Sequence, residues 1–201
     1  GDFSLDSAVP IASSSKWYTA ATIMALIDEG VMALDDSPAE YFDWWADDPN
    51  DPRSQVTVSM LLSFTSGFNT DASEISCLRL GARRSDNESC THAIYDNGLS
   101  TEPGTNFAYG GAHMHILGAM AEAATGETFN TLFRTRIAEP LGMSDATYLA
   151  FSSEDNPQPA GGFISTASDY ALFLQMLLNQ DLFAPELYQA MFSDHTAEVE
   201  R

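Results

Sequence analysis

At 201 residues, 44% hydrophobic and 11% aromatic, the chain is long enough to bury one substantial core, and its composition is that of a globular protein rather than a disordered one. Eight Lys plus Arg against 29 Asp plus Glu give a formal net charge of -21, which repels phosphate backbones and anionic headgroups and argues against nucleic acid or a membrane surface as partner. No apolar run reaches the length of a membrane span, and the opening "GDFSLDSAVP" lacks the basic start and apolar stretch of a signal peptide, as in a processed or cropped amino terminus.

Taken in chain order, the first predicted element is a helix over 13–30. Trp17, Ala20, Ala21, Met24 and Ile27 recur at three- and four-residue spacing, Ser13 to Ser15 stand at the amino end, and Gly30 supplies a left-handed stop. The chain leaves this helix through Pro38. "TVSMLLSFTSGF" predicts a short helix begun by Thr57 and stopped at Gly67. Residues 68–103 read as a polar loop. It holds both cysteines, Cys77 and Cys90, for which a disulfide is expected, and "NES" puts Asn87 in an N-x-S pattern, a glycosylation acceptor in a source that glycosylates secreted proteins. Together these features tilt the reading toward an extracytoplasmic, oxidising compartment.

"EPGTNFAYGG" predicts a brief extended piece, Phe107 to Tyr109, between turns. Residues 111–192 read as a helical region. "AHMHILGAMAEAATG" is a core helix with small residues on one face and Gly126 as its stop. The next helix places Phe129, Leu132, Phe133 and Ile137 on one face and ends before Pro140. In "ISTASDYALFLQMLLNQ", Ser165 or Thr166 caps a helix whose apolar face holds Phe173, Met176 and Leu177, and a last short helix begins at Pro185. One unit without internal repeats, mainly helical and poor in strands, is the expectation.

The chemistry-bearing pattern is Ser13-x-x-Lys16, and Lys16 is the chain's single lysine. At i and i+3 the two side chains share one helix face a turn apart. A serine hydroxyl is a weak nucleophile until a base takes its proton, and a lysine serves where its surroundings favour the neutral amine; arginine does not. A helix amino end adds partial positive charge where an oxyanion would develop. Alone, the spacing is equally that of a snorkelling lysine behind capping serines.

The rest of the chain changes that balance. "PIASSSKWYTAATIMALIDEGVMALDD", "VTVSMLLSFTSGF", "PGTNFAYGG" with "ILGAMAEAATGETF", "IAEPLGM" and "AGGFISTASDYALFLQMLL" resemble, in order and spacing, the serine β-lactamase-like family: class C β-lactamases, penicillin-binding DD-peptidases and related esterases. The resemblance implies an α/β fold of which this chain covers mainly the helical part, with most of the sheet missing and the domain, 1–201, incomplete at both ends. It implies Ser13 as the acylated nucleophile, Lys16 as its lysine partner and Tyr109 as the tyrosine of a Y-x-N element. It also implies a small-molecule or peptide-like acyl substrate and no cofactor.

Two departures qualify the carry-over. The asparagine of Y-x-N falls at Gly111, so the amide that would hold an acylamide substrate is absent, which favours esters over lactams or peptides. The strand bearing a basic or His residue before Gly is not visible, and His195 has no following Gly. The sheet is therefore expected from the remainder of the enzyme or from a partner chain. The competing expectation is a non-catalytic binding or assembly module on the same scaffold. No metal site is expected: His113 and His115, two apart, fall on different sides of a helix and read as structural or solvent-facing, and the acidic "DDPNDP" lacks EF-hand spacing.

Overall fold

A computed structural model describes residues 3–71, 73–79, 86–144 and 158–199. Helix α1, Ser15–Asp28, lies at its centre. Its residues Tyr18, Thr19 and Ala21 to Leu26 are all buried, so the middle of α1 is covered rather than amphipathic, as its run of Ala, Thr, Ile, Met and Leu without a charge allows, while Trp17 in the first turn stays exposed. Gly30 takes the left-handed conformation expected of it, at φ 71°. Ser13, read as part of this helix, instead lies in a separate 3-10 turn, Ala12–Ser14, entered through Ala12 at φ 46°.

Around α1 pack α4 (Ala112–Thr125), α5 (Phe129–Phe133) and a π-helical turn over Arg134–Ala138, while α2 (Val58–Leu62) and α3 (Asn87–Asn97) lean on α4. Thr57 caps α2 as read, its Oγ1 accepting from Met60 N–H, but the helix ends at Leu62 and the chain turns through Phe64 at φ 61° before reaching Gly67. Gly126 ends α4 in the left-handed conformation, φ 72°. Helix α6 (Ala167–Asn179) is capped by Thr166, which accepts from Asp169 N–H, and α7 (Pro185–Phe192) opens on its proline.

Among the described residues, regular sheet is confined to β1 (Val9–Pro10) and β2 (Ile164–Ser165), paired antiparallel with Val9 opposite Ser165. Part of the region read as helical, 145–157, lies outside the described residues. The Tyr18 ring knots the core: it lies 4.8–5.3 Å from the rings of Phe173, Phe133, Phe163 and Tyr170, and its hydroxyl pairs with Ser165 Oγ at 2.8 Å. Burial pushes that phenol's pKa far up, partly offset by the Ser165 bond, so it acts as a neutral strut.

Three readings need correcting. The loop 68–103 contains the eleven-residue α3, which the polar composition conceals: Asp86 caps it by accepting from Ser89 N–H, and only Asn87, Cys90, Thr91 and Ile94 face inward. Asn87 is fully buried at the start of that helix, with Nδ2 donating to Glu122 Oε2 at 3.0 Å, so the folded chain offers no amide for a sugar. His113 and His115, read as structural or solvent-facing, are structural and not solvent-facing: both are buried, because α4 is enclosed over its first ten residues. The Cys77–Cys90 disulfide is present, with Cα atoms 5.7 Å apart.

Candidate active site

Ser13 projects from the turn before α1, and Lys16 follows in the helix's first turn. Lys16 Nζ donates to Ser13 Oγ at 3.2 Å and to the carbonyl oxygen of Ala160 at 2.7 Å. Oγ accepts from the lysine, and the Tyr109 side chain stands beside both groups, lining the same cavity. The ammonium also sits 4.9 Å from the Tyr109 ring centre. Partial burial pushes the Tyr109 pKa up, but the bonds to Ser13 and Lys16 and the lysine charge outweigh it, and the net shift is downward.

The backbone around these groups is fixed by a distant segment. Ile11 N–H donates to Phe163 O at 3.0 Å, Phe163 N–H to Ser15 Oγ at 3.1 Å, and Thr19 Oγ1 to Pro159 O at 2.7 Å. With the Lys16–Ala160 and Tyr18–Ser165 bonds, one strand of chain over 159–165 braces the whole amino end of α1. Ala12 at φ 46° is a non-glycine residue in a conformation that costs energy, placed immediately before Ser13.

Tyr109 is braced from the other side. Ala108 N–H donates to Phe64 O at 2.9 Å, the Phe64 ring lies 5.3 Å from both Tyr109 and His113, and His113 bonds Ala108 O through Nε2 at 2.8 Å. That bond fixes the tautomer: Nε2 carries the proton, so Nδ1 accepts from the Ser66 hydroxyl at 2.9 Å. Burial lowers the His113 pKa to about 4 against the opposing Ala108 bond, and burial with the Lys16 charge does the same for His115, so both rings are neutral at pH 7. Gly110 must be glycine, since a Cβ there would come within 2.1 Å of Thr70 Cβ. Gly111 is different. A Cβ at that position would meet Ala160 Cβ at 3.4 Å, an ordinary contact, so space does not forbid an asparagine.

Of the residues singled out in the sequence, the structure brings Ser13, Lys16 and Tyr109 together and puts Gly111 next to them at the head of α4. Cys77, Cys90 and Asn87 belong to the α3 region. Sequence reasoning missed Phe64 and the Ala160 carbonyl; no local pattern marks a carbonyl 144 residues from the lysine that uses it. A cavity of about 330 Å³ opens beside Ser13, Lys16 and Tyr109, and His195 is part of its wall, with Nε2 on Ala190 O at 2.7 Å. No group of three His, Cys, Asp or Glu side chains suited to a metal ion occurs among the described residues, and no described helix is long and apolar enough to cross a membrane.

A central buried helix wrapped by others, with a scrap of antiparallel sheet at its active end, defines the helical part of the α/β fold shared by beta-lactamases and penicillin-binding proteins. The family model described as Beta-lactamase matches residues 2–200, and the chain belongs to that family of hydrolases. A beta-lactamase-like protein from Bacteroides dorei DSM 17855 superposes with a TM-score of 0.84 at 31% identity, over 99% of this chain and 60% of its own. Penicillin-binding protein 4 of Amycolatopsis lactamdurans is 31% identical over 146 residues, covering 72% of this chain and 37% of the relative. The D-alanyl-D-alanine-carboxypeptidase/endopeptidase AmpH of Escherichia coli K12 is 26% identical over 196 residues, covering 89% of this chain and 51% of the relative. The chain thus spans about half of one of these curated relatives and little more than a third of the other.

Proposed function

We propose that the whole protein is a serine hydrolase that forms an acyl-enzyme at Ser13, attacking an ester, amide or β-lactam carbonyl and releasing the acyl group to water. The observation that carries this reading is the contact of Lys16 Nζ with Ser13 Oγ, with the Tyr109 ring centre 4.9 Å from the same ammonium. Tyr109, its pKa lowered, takes the Ser13 proton as Oγ bonds to the carbonyl carbon, and later returns it to the leaving group. Lys16, tied to Ala160 O, holds the phenolate and the nucleophile in line. The Ser13 backbone N–H at the head of α1 supplies one oxyanion donor, and the rest of the sheet, from the remainder of the enzyme or a partner chain, supplies the second.

Esters are the favoured substrates, because Gly111 presents no side-chain amide to an acylamide. The Cys77–Cys90 bridge supports work in an oxidising, extracytoplasmic compartment. A fluorophosphonate probe on the full-length protein tests the chemistry: it labels the "IASSSK" peptide, Ser13→Ala abolishes labelling, and Ser14→Ala and Ser15→Ala do not. Labelling that survives Ser13→Ala moves the nucleophile elsewhere; no labelling at all leaves a binding module on the same scaffold. The ester preference has its own test, kcat/KM on a chromogenic ester and a chromogenic cephalosporin. The ester is expected to win, Gly111→Asn is expected to narrow the gap, and a native preference for the cephalosporin would refute the preference.

A further inference from the structure

We propose that the cavity beside Ser13 is an acyl-chain pocket, and that the acyl donor is an ester of an uncharged apolar acid about six to ten carbons long. This rests on the acyl-enzyme reading of Ser13 and deepens it. The α1 face that carries Lys16 and Trp17 continues, at helical spacing, into Ala20 and Met24, and all four line the cavity together with Ser13. Burial deepens along that line, from exposed Ser13 through half-buried Lys16 and Ala20 to buried Met24. A carbonyl at Ser13 Oγ therefore has its acyl tail directed down the nucleophile's own helix. Ala20 leaves the depth that a larger residue would fill.

The opposite walls come from Leu62, Met114 and Met191, whose flexible, polarizable sulfurs suit a chain without fixed shape. The Ser63 hydroxyl in the lining donates back to Ser59 O at 2.8 Å, which satisfies it within the protein. Apart from Lys16, Tyr109 and His195, no titratable side chain lines the cavity among the described residues. A charged tail carried past Ser13 would meet a mainly apolar wall of Ala20, Met24, Leu62, Met114 and Met191 and lose more in desolvation than it gained. At roughly 30 Å³ for each small heavy-atom group, the volume of about 330 Å³ holds on the order of ten such groups. An acetyl group leaves most of it unfilled.

In the reaction, the Ser13 Oγ–acyl carbon bond forms, the carbonyl carbon–alkoxy bond breaks, and the alcohol departs with the proton. Water then cleaves the serine ester and frees the carboxylic acid, with no oxidant or co-reactant.

The test is a series of p-nitrophenyl esters from acetate to dodecanoate on the full-length protein. Expected is a rise in kcat/KM of roughly threefold per methylene up to about eight carbons, the scale of burying one CH2, and no further gain beyond about ten. An ester of the same length ending in a carboxylate is expected to fall at least a hundredfold below the octanoate. Ala20→Phe should cut the octanoate-to-acetate ratio at least tenfold. A second measurement stands apart from turnover: on the Ser13→Ala protein, octanoate shifts the fluorescence of Trp17 at concentrations where acetate does not, and Trp17→Phe removes the response. A flat or falling chain-length profile, or octanoate binding no better than acetate, overturns the pocket. Octanoate binding with no ester turned over and no probe on Ser13 overturns the acyl-enzyme reading instead.

Discussion

The amino end of α1 and the region of α3 are each tied to remote parts of the chain, by opposite means. The first is held by five separate hydrogen bonds to 159–165, each setting one group's position to within a few tenths of an ångström. The second adds a covalent bridge, Cys77–Cys90, to hydrogen bonds that include Asn87–Glu122 and Thr91–His115. A hydrogen-bond set fixes geometry at about 1 kcal/mol for each bond, whereas a disulfide acts on the unfolded ensemble and leaves native positions nearly alone. On the acyl-enzyme proposal, chemistry at Ser13 therefore depends more on the first region, and stability more on the second.

The sharpest way to break this comparison is at Lys16. Lys16→Arg in the full-length protein is expected to keep its melting temperature and lose about a hundredfold or more in acylation rate, because the planar guanidinium does not fit where a compact ammonium bridges Ser13 Oγ and Ala160 O. Near-normal acylation by the folded variant would sink the catalytic reading. At the other region the balance reverses. Cys77→Ala with Cys90→Ala should cost about 3 kcal/mol of stability for a loop of this length, read by urea denaturation, while acylation at 20 °C stays within about twofold.

A third test uses pH. His115 is held at about 4 by burial, against about 6.5 in the unfolded chain. Between those values the unfolded chain binds more protons, so the contribution is complete above pH 6.5 and is lost as pH falls toward 4. At pH 5 the loss amounts to roughly 2 kcal/mol. His113 behaves in the same way. Thermal melts at pH 7 and 5 should show the drop, His115→Leu should remove about half of it, and an unchanged difference would refute the assignment. The smallest effect is expected at Thr19→Val, which deletes one brace to Pro159 O and should cost about 1 kcal/mol; a slower acylation rate in that variant would show how closely the site depends on each brace.

How much of this was legible depended on the kind of signal. Helix ends with a side-chain device were readable: Thr57, Thr166 and Gly126 each sit where their chemistry predicts. Helix α3 was not, because its inward positions are Asn87, Cys90, Thr91 and Ile94, too few apolar groups to make a pattern in a polar stretch. Asp86 before Ser89, and Gly98 after Asn97, were the signals available. The Ser13–Lys16 spacing and Tyr109 were readable through the family's motif order. What positions them was not, since carbonyls of Ala160 and Pro159 carry no sequence identity and the buried state of His113 depends on α4 being enclosed.

The Lys16–Ala160 bond also bears on time. The two residues are 144 positions apart, so at about 5–20 residues per second the ribosome delivers the carbonyl roughly 7 to 30 seconds after the lysine. Through that interval the nascent chain carries its serine, its lysine and, for the last part, its tyrosine without the segment that aligns them. Contacts of such long sequence separation form late because the loop must close before they return any energy. On the acyl-enzyme proposal, an acyl donor met during synthesis finds Ser13, Lys16 and Tyr109 not yet assembled, and Ser13 becomes reactive only on the arrival of a carbonyl with no chemistry of its own.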